Sequence, residues 1–154
     1  MVAGIGSFHA GQELSLFTMP EGSFGVLICY EIIFPNLTRR FVKKGAQFLV
    51  NITNDAWFGY TSAPYQHLSM ATLRAVENRR FIARAANTGF SALIDATGKI
   101  KLSSTLFTQE LITGKIKLLG IPTFYSNYGD VFAILSTIFT AALFLFALMR
   151  GIRK

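Results

Sequence analysis

The chain reads as an α/β protein, a mixed sheet with flanking helices followed by one transmembrane helix. Three observations predict this. Residues 25–29 (GVLIC) and 48–52 (FLVNI) are short, continuous apolar runs of the kind that form fully buried strands. Between them lies a stretch of helical periodicity, as a parallel right-handed crossover requires. Near the C-terminus, residues 131–149 (VFAILSTIFTAALFLFALM) carry no charge, and roughly 20 such residues cross a hydrocarbon core of ~30 Å.

Each element follows from local chemistry. After the first strand, Pro35 and Asn36 open a helix with Asn36 as expected N-cap. Leu37, Phe41 and Val42 share its buried side, and Gly45 after paired lysines is its stop. The second strand leads into a long loop, TNDAWFGYTSAP, punctuated by Asn-Asp, Gly59 and Pro64. A second helix is predicted over 65–78, where Leu68, Ala71, Ala75 and Val76 recur at helical spacing. Strands are expected at 81–86 and 90–94, joined at NTG, then at 100–103 after the turn DATGK. Residues 110–118 alternate loosely and are read as one more strand, and GIPTFYSNYGD as a connector into the membrane helix.

Composition bounds the function. The 154 residues suit one domain; 51% are hydrophobic and 15% charged. That apolar balance points to a membrane component. The net charge of +7 is scattered or sits beside the apolar segment, and no nucleic-acid module is present, so nucleic-acid binding is not expected. MVAGIGSFHAGQE lacks the charged and apolar regions of a signal peptide. Asp130 precedes the uncharged span, whereas Arg150, Arg153 and Lys154 follow it. The positive-inside rule therefore predicts residues 1–130 outside the cytoplasm, a membrane helix over 131–149 and a basic cytoplasmic tail over 150–154.

Cys29 is the single cysteine, so no internal disulfide forms. It ends an apolar run and is followed at once by Tyr30 and Glu31. Two readings stand on pattern alone. Free cysteine is among the most buried residue types and can close a strand as a small hydrophobe. Equally, a nucleophile belongs at a strand's carboxyl end, where following amides can face a developing oxyanion.

The segment GVLICYEIIFPNLTRRFVKKGAQFLVNITNDAWFG, with PYQHLSMATLRAVENRRFIARAANTGFSALIDATGKI and the YGD before the last helix, closely resembles the apolipoprotein N-acyltransferase family of the nitrilase superfamily. The CYE elbow with FP shortly after is a superfamily feature; NDAWFG followed by YQH and ENRR is more specific. The resemblance implies a nitrilase-like sheet, here a C-terminal part of that domain, on the periplasmic side of the inner membrane. It implies acyl transfer from a phospholipid to the α-amine of a diacylglyceryl-modified lipoprotein cysteine through a thioester, with no metal or organic cofactor. It also assigns roles: Cys29 as nucleophile, Tyr30 as backbone oxyanion donor and pocket wall, Glu31 as supporting carboxylate and Trp57 as an aromatic of a mobile loop. An indole suits a lipid ester, being apolar with one N–H to donate.

The same resemblance implies a glutamate base and an oxyanion-steadying lysine well before the cysteine. Here Glu13 and Glu21 are the sole carboxylates upstream, and no lysine precedes Lys43. Lys43 and Lys44 read instead as the solvated end of a helix. The expectation is a C-terminal portion of the enzyme, inactive alone and completed by a missing N-terminal portion or partner chain. Two rivals remain: a carbon–nitrogen hydrolase (amidase) using water as second nucleophile, and a catalytically silent membrane-anchored module. A Cys–His pair with His67 or His9 is disfavoured against a packing or surface histidine. ENRR (Glu77, Asn78, Arg79, Arg80) reads as an anionic head-group site or an internal ion-pair cluster.

Overall fold

A computed structural model describes residue 11 and residues 13–152. Its sheet runs β1 (Leu16–Met19), β2 (Gly22–Ile28), β3 (Phe48–Asn54), β4 (Phe81–Asn87), β5 (Ala92–Ile94) and β6 (Ile100–Ser103), adjacent in that order. β2, β3 and β4 are parallel. β1 pairs antiparallel with β2, and β5 and β6 continue antiparallel from β4. The parallel pairs are bridged by α1 (Pro35–Lys44) and α2 (Ala63–Asn78); α3 (Phe124–Tyr128) and α4 (Val131–Ile152) follow. The expected mixed α/β sheet is therefore present.

Several boundaries differ, each for a local reason. Phe34, in extended backbone, caps α1 and Pro35 takes its first turn, so Asn36 is not the N-cap. Proline suits that position because its missing N–H would have no partner there. Gly45 ends α1 at φ +113, as expected. Pro64 likewise takes the first turn of α2, which starts at Ala63, two residues earlier than its periodicity suggests. The strand predicted over 110–118 does not form. That segment runs over the sheet, with Leu118 beside Gly22 and the Leu119 N–H donating to Gln47 O at 3.1 Å. Gly114 allows the close approach, since a Cβ there would stand 2.4 Å from Leu93 Cδ1. β1, too short to show a pattern, was not anticipated.

The core lies between one sheet face and the helices: Leu27, Leu49, Ile82 and Ile94 meet Phe41, Val42, Leu68, Ala71 and Ala75. The opposite face is apolar too. Phe24 stacks on Phe48 at 4.9 Å, and Val26, Val50 and Ala83 form the next row. At its far end Ile28 and Ile52 are exposed. Parallel strands read as continuous apolar runs because both their faces are meant for burial.

ENRR is internal. Glu77 accepts from Arg74 at 2.7 Å. Arg80 is buried and spends its guanidinium on the carbonyls of Ala46, Asn78, Arg79 and Ile121. Ser126 donates to Asn78 Oδ1 at 3.0 Å and Thr123 to Glu77 O at 2.5 Å, fastening the connector to α2 ahead of α4. Over 131–150, α4 has a mean hydropathy of 2.5 and none of it is buried.

The tightest test of the core is Gly25, where a Cβ would lie 2.6 Å from the Phe41 ring. Gly25→Ala should destabilise the fold by about 1–3 kcal/mol through overpacking, read as a lower denaturation midpoint in detergent.

Candidate active site

β2 ends at Ile28, and the chain turns sharply through Cys29 at φ +50 into a short 3-10 turn, Cys29–Ile33. A left-handed backbone is uncommon outside glycine and persists only where surroundings enforce it. Cys29 thus stands outside the strand, half-buried, at the carboxyl ends of the parallel strands, where α/β sheets gather their ligands. The buried-strand reading of this thiol does not hold.

What enforces the turn is polar and buried. Asn51, fully buried on β3, donates through Nδ2 to Leu27 O at 2.9 Å and Cys29 O at 3.3 Å. Its Oδ1 accepts from Arg84 on β4. Arg84 also donates to Asp55 Oδ2 at 2.7 Å and to Phe90 O at 3.2 Å. Asp55 Oδ1 lies 3.1 Å from His67 Nδ1 and accepts from Thr53 at 2.9 Å. Gly89 leaves room for the carboxylate, because a Cβ there would be 2.4 Å from Oδ2.

The charges follow. Burial would raise the Asp55 carboxyl, but the His67 hydrogen bond and the Arg84 charge outweigh it and hold the group below its ordinary value. Burial draws Arg84 below the usual arginine range, with Asp55 and then Cys29 opposing it.

The other expected residues lie around this centre. Glu31 Oε2 accepts from the Ile28 N–H at 2.7 Å, bracing the elbow from outside. Tyr30 is half exposed, with its ring 5.5 Å from that of His67. Amides opening a helical turn lack an intrahelical acceptor, which leaves such N–H groups for an oxyanion. Trp57 sits on the 3-10 turn Ala56–Phe58 and is 78% exposed, so it is not tucked onto the core. Phe58 beside it meets the His67 ring edge-on at 6.0 Å. His67 is buried, and no hydrogen bond joins it to Cys29 among the described residues; His9 lies outside them. Lys43 and Lys44 close α1, exposed as expected.

Asn51, Asp55 and Arg84 were not anticipated. The signal was there: polar residues breaking the apolar runs FLVNITN and FIARAAN, Asn51 two places after buried Leu49 and Arg84 two after buried Ile82. Alternation puts them on the core face, where a polar group needs a partner.

Comparison with known proteins fits this geometry. Residues 5–122 match the carbon-nitrogen hydrolase family. The chain belongs to that family. Apolipoprotein N-acyltransferase of Geobacter metallireducens is 50% identical over 133 residues, 86% of this chain and 26% of that protein. The Thermotoga maritima protein of the same name is 37% identical over 152 residues, 98% of this chain and 30% of its own length. The chain thus spans about a quarter to a third of these relatives. Among solved structures, Saccharomyces cerevisiae Nit3, a member of branch 10 of the nitrilase superfamily, superposes with a TM-score of 0.55 at 24% identity, over 64% of this chain and 39% of that one. An amidase variant from Nesterenkonia sp. AN1, with the acetamide moiety of fluoroacetamide added covalently at its active-site cysteine, gives 0.52 at 24%, over 63% and 39%. Both show the nitrilase fold.

Removing one member of a buried ion pair leaves the other uncompensated, so Asp55→Ala should cost about 3–5 kcal/mol. The acid response has a definite sign. Because folding depresses the Asp55 pKa, its stabilisation is complete above the unfolded value near 3.8 and disappears as pH falls through the lower folded one. Denaturation midpoints measured down to acid pH should show this loss, with the Asp55 contribution absent from Asp55→Asn.

Proposed function

We propose that the chain is the nucleophile-bearing part of an apolipoprotein N-acyltransferase. The observation that carries the reading is the lone thiol on a left-handed elbow at the carboxyl ends of three parallel strands, in a chain 50% identical to a relative of that name. The Cys29 thiolate attacks the ester carbonyl of a phospholipid. The C–O bond breaks, and lysophospholipid leaves with the proton from a general acid. The α-amine of a diacylglyceryl-cysteine N-terminus then attacks the thioester, the C–S bond breaks, an amide forms and the amine's proton returns to the base. Tyr30 N–H faces the oxyanion, and Glu31 holds the elbow by capping Ile28. Trp57 offers an exposed indole to the lipid ester.

Spanning is assigned to the uncharged 131–149 stretch of α4, with residues 1–130 on the periplasmic side of the inner membrane and the basic tail 150–154 in the cytoplasm. Asp55 and Glu31 are both engaged, by Arg84 and His67 and by Ile28 N–H respectively. Neither is free to serve as base, and no lysine stands upstream of the elbow. The glutamate base and oxyanion lysine that the family resemblance implies are proposed to come from further chain or a partner, and the 154 residues alone are expected to turn over no substrate.

The amidase reading is the alternative, favoured by the Nesterenkonia likeness in fold. A chimera decides between them: this chain replaces the matching segment of the Geobacter metallireducens enzyme and is supplied with phosphatidylethanolamine and a diacylglyceryl lipopeptide. The chimera should N-acylate the peptide, Cys29→Ser should lower the rate by about a thousandfold or more, and the isolated chain should give none. Amide hydrolysis without acyl transfer would replace this reading with the amidase.

A further inference from the structure

The mechanism above uses Cys29, Tyr30, Glu31 and Trp57, yet the most heavily bonded side chain nearby belongs to none of its steps. Arg84 is buried, and all three guanidinium nitrogens are engaged. Nη1 donates to Asn51, whose amide in turn holds the carbonyls of Leu27 and Cys29. Nη2 donates to Asp55 and lies 3.1 Å from His67 Nδ1. Asp55 begins the turn that carries Trp57: the Phe58 N–H donates to Asp55 O at 3.0 Å. The His67 ring faces Tyr30 of the elbow at 5.5 Å and Phe58 of the loop at 6.0 Å. Elbow and aromatic loop, about thirty residues apart in sequence, therefore meet at one planar cation.

We propose that Arg84 is a positioning residue that couples the cysteine elbow to the aromatic loop, one arm of its fork holding Asn51 against the Cys29 backbone and the other holding the Asp55–His67 pair on which the loop is built. A fork is required. Lysine offers one compact ammonium that cannot reach both acceptors in their fixed geometry. The catalytic meaning of the coupling rests on Cys29 as nucleophile, but the coupling itself is a property of this fold and is tested without donor or acceptor.

The chain carries its own reporters, because Cys29 is its only cysteine and Trp57 its only tryptophan. The full chain in detergent micelles is followed by the alkylation rate of Cys29 with iodoacetamide and by the fluorescence anisotropy of Trp57. Arg84→Lys should speed alkylation by about threefold or more, a coupling typical of contacting residues, as the left-handed turn relaxes and bares the half-buried thiol. It should also lower Trp57 anisotropy, with far-UV circular dichroism unchanged and with the exposed Arg40→Lys altering neither signal.

Asn51→Ser is the sharper variant, since the Asn51 side chain bonds the elbow and Arg84 but no atom of the loop. Coupling through Arg84 requires Trp57 anisotropy to fall in this variant too, whereas a merely local prop would change Cys29 alone. A response confined to Cys29 in Asn51→Ser, or no response in either folded variant, overturns the proposal. Should Arg84→Lys unfold the chain, Asn51→Ser decides alone.

Discussion

A guanidinium buried beside a carboxylate is the constraint on which this structure turns. Charge taken out of water is costly by several kcal/mol per ion unless geometry and hydrogen bonding compensate it. Arg84 can lie buried in the middle of β4 only because Asp55, Asn51 and Phe90 O accept its hydrogens. Those acceptors are in turn fixed by their other bonds: Asn51 by two elbow carbonyls, Asp55 by His67 and Thr53. Gly89 and the left-handed Thr88 follow, since the chain after β4 must give the carboxylate room. The strained backbone at Cys29 is thus the outermost consequence of a buried hydrogen-bonded network.

This explains which parts of the protein were legible in its sequence. The buried strands, both crossover helices, the Gly45 stop and the DATGK turn follow from local rules, because apolar periodicity and turn chemistry act over a few residues. Tertiary context decided what those rules missed. The segment after β6 alternates enough to suggest a strand, yet Gly114 and Leu119 lay it over the sheet instead. Cys29, Tyr30, Glu31 and Trp57 were singled out as candidates from motif and resemblance. The centre beneath them was not, because its members come from three elements and their partners are far apart in sequence. A single Asn or Arg in an apolar strand says that a partner exists, not which one.

Two surfaces relate the domain to its surroundings. The connector 121–129 is held to α1 and α2 by Thr123, Ser126, Arg80 and Arg39, so α4 leaves the domain from a fastened base. Beyond it, a helix uncharged over 131–149, with none of its span buried, is suited to lipid. The reverse sheet face, with Ile28 and Ile52 exposed beside the elbow, is apolar where parallel strands are ordinarily covered. The 154 residues account for about a quarter of the Geobacter relative's length.

The proposed acyl transfer requires Cys29 to form an acyl thioester at the mouth of that elbow. The direct measurement is mass spectrometry of the chimeric enzyme, quenched in acid after exposure to phosphatidylethanolamine without acceptor. An acyl adduct confined to the Cys29 peptide, released by neutral hydroxylamine and consumed when lipopeptide is added, is the predicted result. Acyl transfer proceeding with Cys29 unmodified, or an adduct on another side chain, would contradict it.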